Sequence, residues 1–478
     1  MKYYVTTAIP YVNAKPHIGT ALDFITADVL ARHARSQGKP VIFSTGTDEH
    51  GGKIAEKAEE HDLKPQEFAD LMSKNFRSLA KDLNISNDRF IRTTDKGHEQ
   101  RAQLIWKALK DDIYKDTYTG LYCTGCESYV TEAVAKANNN LCPNHNKAYE
   151  KLDEENYFFK LSKYSDQIKK AISSGSFRIV PTTRKHEIER VLEEGLEDIS
   201  VSRPKDKISW GIPVPGDKKQ VMYVWFEALM NYITVLGYPE HEDFKEFWPA
   251  NVQVIGKDIL RFHAAIWPGI LLALGLPLPK NLYVHGFVNV DGQKMSKTLG
   301  NVVEPGEIIK EYGADAFRYF FLKHIPSHED GDFNWDRLTA AYNNELANEL
   351  GNGVSRTVAM INKYQDGIIG DVSPAEHDVA RYNQALENFQ FDKALDEVWM
   401  QVRGLNQYID MEKPWEIHGE GDKEHLSEVL AAQVSALLEI ALLLQPFLPE
   451  TSLKIRHIFE EGTIRQTKET LFPKKDTE

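Results

Sequence analysis

Three groups of residues in this 478-residue chain have the types and spacing that chemistry requires. The first is Pro16-His17-Ile18-Gly19-Thr20, at the turn where a strand predicted over Lys2 to Ile9 gives way to a helix predicted to run to about Gln37. Such a turn aims backbone N–H groups and the positive end of a helix dipole at one place, which suits phosphate and brings in His17. A histidine beside a glycine turn can equally be a cap or a packing group, and the tetrapeptide alone leaves both roles open. The second group is Lys294-Met295-Ser296-Lys297-Thr298-Leu299-Gly300-Asn301, a small-residue loop with two lysines. Lysines placed so can neutralise charge developing on a triphosphate as it is cleaved; the plain alternative is a solvated surface turn. The third pairs Cys123-x-x-Cys126 with Cys142-Pro143-Asn144-His145. Two knuckles with two-residue gaps can close a tetrahedral Cys₃His zinc site, and four protein ligands leave no open position, so the metal would be structural. Three unrelated reduced thiols are the competing reading, and a redox Cys-x-x-Cys would leave the second knuckle unexplained.

The elements that must hold these groups alternate along the chain. Ile18, Ala21, Leu22, Ile25 and Val29 recur at helical spacing, and Gly38 with Pro40 ends that helix. A short apolar run, Pro40 to Ser44, then leads into Thr45-Gly46-Thr47-Asp48-Glu49-His50-Gly51-Gly52. In an open parallel sheet, ligands sit beyond the carboxyl ends of strands, which makes Asp48 a candidate to hold a cationic group. Asp48 is placed as well to cap a helix starting near Lys53.

Residues 1–115 therefore read as the first half of an α/β domain with a Rossmann-like, nucleotide-binding parallel sheet. Residues 116–215 read as an insertion: the cysteine knuckles, a charged run from Glu150 to Glu155, aromatic Tyr157-Phe158-Phe159, a polar helical stretch, and a proline-bearing return from Ile199 to Pro215. Alternation resumes over 216–325, with strands expected at Val221 to Phe226, Val252 to Ile255 before Gly256-Lys257-Asp258, and Leu282 to Phe287. A linker over 326–345 leads to an α-helical bundle over 346–478. Helices are expected from Trp335 to Lys363, Ala375 to Phe389, Phe391 to Met411 and Lys423 to Leu444.

Composition sets the outer limits. With 42% hydrophobic and 27% charged residues the chain can bury large cores, and its length suits two to four domains. A net charge of −14 excludes non-specific coating of nucleic acid but leaves room for local basic patches such as Arg178, Arg184, Lys185 and Arg190. Met1-Lys2-Tyr3-Tyr4-Val5 opens directly into a strand rather than a signal peptide. The greasiest stretch, Leu426 to Leu448, is interrupted by Glu428, Gln433, Ser435 and Glu439, so no membrane span is expected and a cytoplasmic location is.

His17-Ile18-Gly19-Thr20 and Lys294-Met295-Ser296-Lys297-Thr298 resemble HIGH and KMSKS, the two signature sequences of class I aminoacyl-tRNA synthetases. Ala8-Ile9-Pro10-Tyr11, Gly46-Thr47-Asp48-Glu49-His50-Gly51, Tyr223-Val224-Trp225 and Phe262-His263-Ala264-Ala265-Ile266-Trp267-Pro268 are similar to the methionine-specific branch of that family, over nearly the whole chain. The resemblance implies ATP-dependent activation of L-methionine and transfer of the methionyl group to the 3′ end of tRNA(Met), with Mg²⁺ accompanying ATP and one structural zinc on Cys123, Cys126, Cys142 and His145. It implies a methionine pocket walled by Ile9, Tyr11, Trp225, Ala228, Leu229, Tyr232, Ile259 and His263, with Asp48 receiving the substrate ammonium. ATP would meet His17, Gly19, Thr20 and Lys297 at its phosphates, Gly256 and Asp258 at the ribose, and the backbone of Phe287 and Val288 at the adenine. His17, Thr20, Lys294 and Lys297 would be the catalytic residues. Asn352, Arg356 and Trp415 match the family's anticodon readers; without that match, the first two read as a solvated face and the third as core. Two departures stand out: Thr20 replaces the family's second histidine with a neutral hydroxyl, and Thr298 replaces a serine while keeping one. The chain ends after a polar tail without the C-terminal module that some relatives append, so a monomer is expected. A class I synthetase for leucine, isoleucine, valine or cysteine, and a non-catalytic tRNA-binding relative, are the competing readings.

Overall fold

The computed structural model of the chain describes residues 2–123, 128–130, 132–143, 146–295, 300–460, 464 and 470–476. The elements that position the site are, in chain order, β1 (Tyr3–Thr7), α1 (Ile18–Ser36), β2 (Val41–Thr47), β3 (Arg89–Arg92), α2 (Lys96–Ala108), β4 (Arg178–Val180), α3 (Val224–Leu229), β5 (Val252–Gly256), β6 (Asn281–His285) and α4 (Ala314–Lys323). The six strands form one parallel sheet in the order β3-β2-β1-β5-β6-β4. Tyr4 to Thr7 of β1 and all of β5 are buried, because helices cover both faces of the sheet. That is why these strands read as apolar runs without alternation.

From β1 the chain winds outward to β2 and β3 on one side, and later to β5 and β6 on the other, so the winding reverses between β1 and β5. At such a switch point the loops after the two strands part and leave a crevice. His17 follows β1, Asp48 follows β2, Gly256 ends β5 and His285 ends β6. Four polar clusters far apart in sequence thus meet at one end of one sheet.

Between β3 and β5 in the chain a separate four-stranded antiparallel sheet is built from Ile113–Cys123, Ser128–Val130, Glu150–Phe159 and Ile199–Ser200. The stretch 116–215 is not wholly outside the main sheet, however. Its residues Arg178 to Val180 are β4, paired in parallel with Asn281 to Tyr283 at the sheet edge. A strand this short, running straight into Pro181, gives no periodic signal. Val221 to Phe226 also differs from expectation: strand Asp217–Met222 stops there and α3 begins, so Trp225 is on a helix. An unbroken run of apolar and aromatic residues does not distinguish strand from helix.

Beyond residue 330 the fold is helical, after strand Gly331–Phe333 pairs with Val288–Val290. The helix expected from Trp335 is continuous but widens to π geometry over Tyr342–Gly351 before α5 (Asn352–Gln365). Then come α6 (Phe391–Glu412), α7 (Pro414–Glu420) and α8 (Lys423–Leu444). Residues 375–379 are not helical, and the helix expected there spans Ala380–Glu387. By length and composition α8 could cross a membrane. It is instead the centre of the bundle, with Leu426, Val429, Leu430, Leu437, Ile440 and Leu444 buried. Three of its polar interruptions have partners: the Thr357 hydroxyl donates to Gln433 at 3.2 Å, the Ser435 hydroxyl donates to the Ser373 carbonyl at 2.7 Å, and Glu439 accepts from the His377 amide at 3.1 Å.

Arg318 of α4 joins the two parts of the molecule. It is fully buried and pairs with buried Asp28 of α1 at 2.8 Å. It also donates to the carbonyls of Leu83, Pro446 and Phe447 at 3.2, 2.8 and 2.6 Å. One guanidinium therefore ties the sheet's first helix to the loop that ends the bundle's central one.

Candidate active site

The turn after β1 is built as the sequence suggests. His17 caps α1, and its Nδ1 accepts a hydrogen bond from the Gly19 amide at 3.0 Å. An Nδ1 that accepts places the proton of a neutral imidazole on Nε2, where it can be donated to an anion. Enclosure by the crevice walls pushes the His17 imidazole below its ordinary value, against the opposing pull of the Asp23 and Asp258 carboxylates. A Cβ on Gly19 would lie 2.8 Å from the ring's Cε1, so any larger residue would displace the histidine. Thr20 is buried in the same first turn.

Across the crevice, His285 meets Asp23 through Nε2 at 2.7 Å and the Gly286 carbonyl through Nδ1 at 2.8 Å. Burial disfavours charge on this imidazole, but the Asp23 carboxylate more than offsets it and the histidine is held above its ordinary value. Asp258 lies beside them at the rim: a Cβ on Gly256 would come within 2.8 Å of its Oδ1. Its carboxyl is pushed up by enclosure and by Asp23. Neither Asp23 nor His285 was singled out by sequence, because each sits inside an apolar stretch and the pair spans 262 residues.

The segment bearing Asp48 is fixed from several directions. The Asp48 amide donates to the Pro10 carbonyl at 2.9 Å and its carbonyl accepts from the Val12 amide at 3.1 Å, which locks it to the Tyr11 segment. Asp48 is buried, with the Thr93 hydroxyl at 3.4 Å. Gly51, not Asp48, is the cap residue of the helix that follows. The neighbouring Glu49 is gripped by Arg92 of β3 through two bonds of 2.8 Å.

Tyr11, bridged to Asp48 through the backbone, packs in one apolar cluster with Trp225, Leu229, Tyr232, Ile259 and Phe262, which forms a wall beside the Asp48 segment. Trp225 stacks on Phe262 with ring centroids 4.3 Å apart, while Ala228, Leu229 and Tyr232 are buried and Ile9, Tyr11 and Ile259 are half-buried. Burial holds the His263 imidazole down to about 4, so it is neutral at physiological pH. Its Nδ1 faces the Ile259 carbonyl at 3.0 Å and therefore carries the proton; its Nε2 then accepts from the Tyr232 hydroxyl at 2.7 Å. The two polar tips satisfy each other and leave a neutral, aromatic surface, which suits a polarizable thioether.

The remaining expected residues divide. The Phe287 amide donates to Asp330 at 3.0 Å and its carbonyl accepts from the Gly331 amide at 2.9 Å, so its backbone is already engaged and Val288 is the nearer candidate for adenine. The Lys257 and Lys294 ammonium groups lie 4.3 and 5.0 Å from the Phe287 ring. Lys297 and Thr298 lie outside the described residues, as do Cys126 and His145. Cys123 and Cys142 are buried thiols, and among the described residues no cluster of three or more potential ligands could hold a metal. In the bundle, Asn352 is exposed on α5, Arg356 pairs with Asp410 at 2.6 Å, and Trp415, expected to be core without the family match, is 43% exposed at the start of α7.

Comparison with known proteins gives the family and the fold. Residues 3–358 match the family described as tRNA synthetases class I (M), and residues 372–477 match the anticodon-binding domain of tRNA ligase. The methionine–tRNA ligase of Thermotoga maritima is 40% identical over 96% of this chain and 76% of the relative. That of Clostridium tetani is 43% identical over 100% and 79%. Among solved structures, the Mycobacterium tuberculosis methionyl-tRNA synthetase in complex with methionyl-adenylate superposes with a TM-score of 0.92 at 34% identity, covering 99% of this chain and 100% of that one. The matched sequence, the switch-point crevice and the helical bundle together make this chain a member of the class I tRNA synthetases (M).

Proposed function

We propose that the chain is an ATP-dependent ligase that converts L-methionine to methionyl-adenylate and passes the methionyl group to the 3′ end of tRNA(Met). The observation that carries this reading is the meeting, at one switch point, of a buried carboxylate and neutral aromatic wall on one side with a histidine-capped helix start on the other. Asp48 receives the substrate ammonium through a charge-assisted hydrogen bond, and Trp225, Tyr232 and His263 surround the side chain. The ATP phosphates lie over the start of α1, where the Nε2–H of His17 reaches the α-phosphate. A methionine carboxylate oxygen attacks the α-phosphorus, the bond to the bridging β-phosphate oxygen breaks, and pyrophosphate leaves. The residues contribute placement and charge stabilisation. Lys294 and Lys297 neutralise the departing pyrophosphate, and Mg²⁺ bound with ATP supplies further positive charge there. A hydroxyl of the terminal tRNA adenosine then attacks the acyl carbon and AMP departs. Thr20, a buried hydroxyl, stands beside the phosphates where relatives carry a second charged donor.

The exposed Trp415 supports recognition of the anticodon by stacking, with Asn352 and Arg356 on the adjoining helix. Charging of tRNA with labelled methionine tests the reading. Trp415→Ala should lower charging by roughly 10-fold or more, the scale of one lost base stack, while leaving adenylate formation intact. Equal loss in both assays would reduce the bundle to a scaffold.

We also propose one structural zinc on Cys123, Cys126, Cys142 and His145. Two features support it: Cys123 and Cys142 are both buried, and the Cys142 backbone is held by two bonds, its carbonyl accepting from the Asn146 amide at 2.7 Å and its amide donating to the Lys147 carbonyl at 2.8 Å. Metal analysis should find one zinc per chain, and a folded, metal-free protein would remove it.

A further inference from the structure

Glu227 has no place in the scheme above, yet it is fully buried and charged next to the substrate wall. It lies on α3, two residues after Trp225 and one before Ala228. One carboxylate oxygen meets Nδ1 of His50 at 2.8 Å and the other meets Nε2 of His98, on α2, at 2.8 Å. Nδ1 of His98 lies 2.8 Å from the Thr234 hydroxyl. A single proton assignment satisfies the whole set. His50 donates from Nδ1, His98 donates from Nε2, and Thr234 donates to the remaining nitrogen of His98. The two imidazoles hold the Glu227 carboxyl below its usual range although burial works the other way.

His50 is two residues from Asp48, in the same segment, and its ring lies 5.3 Å from that of Trp210, whose indole N–H donates to the Glu49 carbonyl at 2.6 Å. Glu49 on the other side is anchored to β3 through Arg92. Asp48 is thus held by two different attachments. Arg92 fixes its segment to the sheet edge, and Glu227 fixes it to the helix that carries the aromatic wall. The ammonium and the side chain of one amino acid leave the same carbon, so the receiver and the wall must keep one spacing for both to be bound in register.

We infer that Glu227 is a positioning residue for the amino-acid substrate: through His50 it sets the distance between the Asp48 segment and the Trp225 helix, with His98 holding it from behind. This rests on the reading of the crevice as a methionine site. The test is methionine-dependent exchange of pyrophosphate into ATP by wild type, Glu227→Ala, Glu227→Gln and His50→Ala, with KM measured separately for methionine and ATP. Glu227→Ala and His50→Ala should raise KM for methionine by about 10- to 100-fold, as a misplacement near 1 Å would, and leave KM for ATP within about twofold. Glu227→Gln should stay within about fivefold of wild type, because the amide can hydrogen-bond both histidines once one changes tautomer. His50→Ala carries the test if Glu227→Ala does not fold, since it keeps the Glu227 to His98 pair. An unchanged KM for methionine in a folded variant, or an equal rise for ATP, would overturn the inference. Absence of exchange by the wild type would instead overturn the methionine reading beneath it.

Discussion

His17 and His263 show how the same residue type is given opposite duties by its partners. At His17 an accepted bond on Nδ1 frees Nε2–H for an anion, whereas at His263 both nitrogens are satisfied inside the protein. The latter has a consequence for stability. Burial lowers the His263 value from the ordinary 6.5 to about 4. Above pH 6.5 the ring is neutral in folded and unfolded chains alike. As pH falls below that value the unfolded chain takes up a proton that the folded site refuses, so stability is lost by about 1.4 kcal/mol per pH unit until about pH 4. Between pH 6.5 and 5 the wild type should lose about 2 kcal/mol more than His263→Gln, read from urea midpoints of the catalytic part. Parallel losses would mean that the ring is not held neutral. At this scale the sequence revealed residues that stand in polar clusters at strand ends, such as His17, Asp48 and Asp258. It did not reveal Glu227 or the Asp23 to His285 pair, whose partners are 177 and 262 residues away and whose neighbours are apolar.

Elements were legible in proportion to their length and contrast. α1 and α8 run for 19 and 22 residues with helical spacing and end close to where periodicity and punctuation predict. β3 and β4, with 4 and 3 residues, escaped notice because their identity comes from parallel pairing with distant strands. The run Val221 to Phe226 points to the wrong element for a different reason: Tyr223, Val224 and Phe226 are all buried, which removes the polar face that would mark a helix. Packing between elements was hidden as well, and Arg318 is the instance that matters most. Removing a buried partner leaves the other charge uncompensated at a cost of about 3–5 kcal/mol. Arg32 remains on Asp28 at 2.7 Å, which places the loss for Arg318→Met near 3 kcal/mol. Asp28→Asn in the same chain should recover part of it. A loss under 1 kcal/mol would show that the strut does not join sheet and bundle energetically.

At the scale of the molecule, one sheet with its winding reversed between β1 and β5 gathers the crevice, an antiparallel sheet is inserted between two of its strands, and the bundle presents Trp415 on its surface. The order of the motifs along the chain reflects that organisation: the helix start follows β1 and the Asp48 segment follows β2, so both fall at one end of the sheet. Convergence also states the central claim, that this crevice activates methionine even with Thr20 in place of a second charged donor. The direct measurement is methionine-dependent exchange of pyrophosphate into ATP without tRNA, run beside leucine, isoleucine, valine and cysteine. Exchange with methionine alone is the predicted result. No exchange with any amino acid, or preference for one of the others, in folded protein would contradict it.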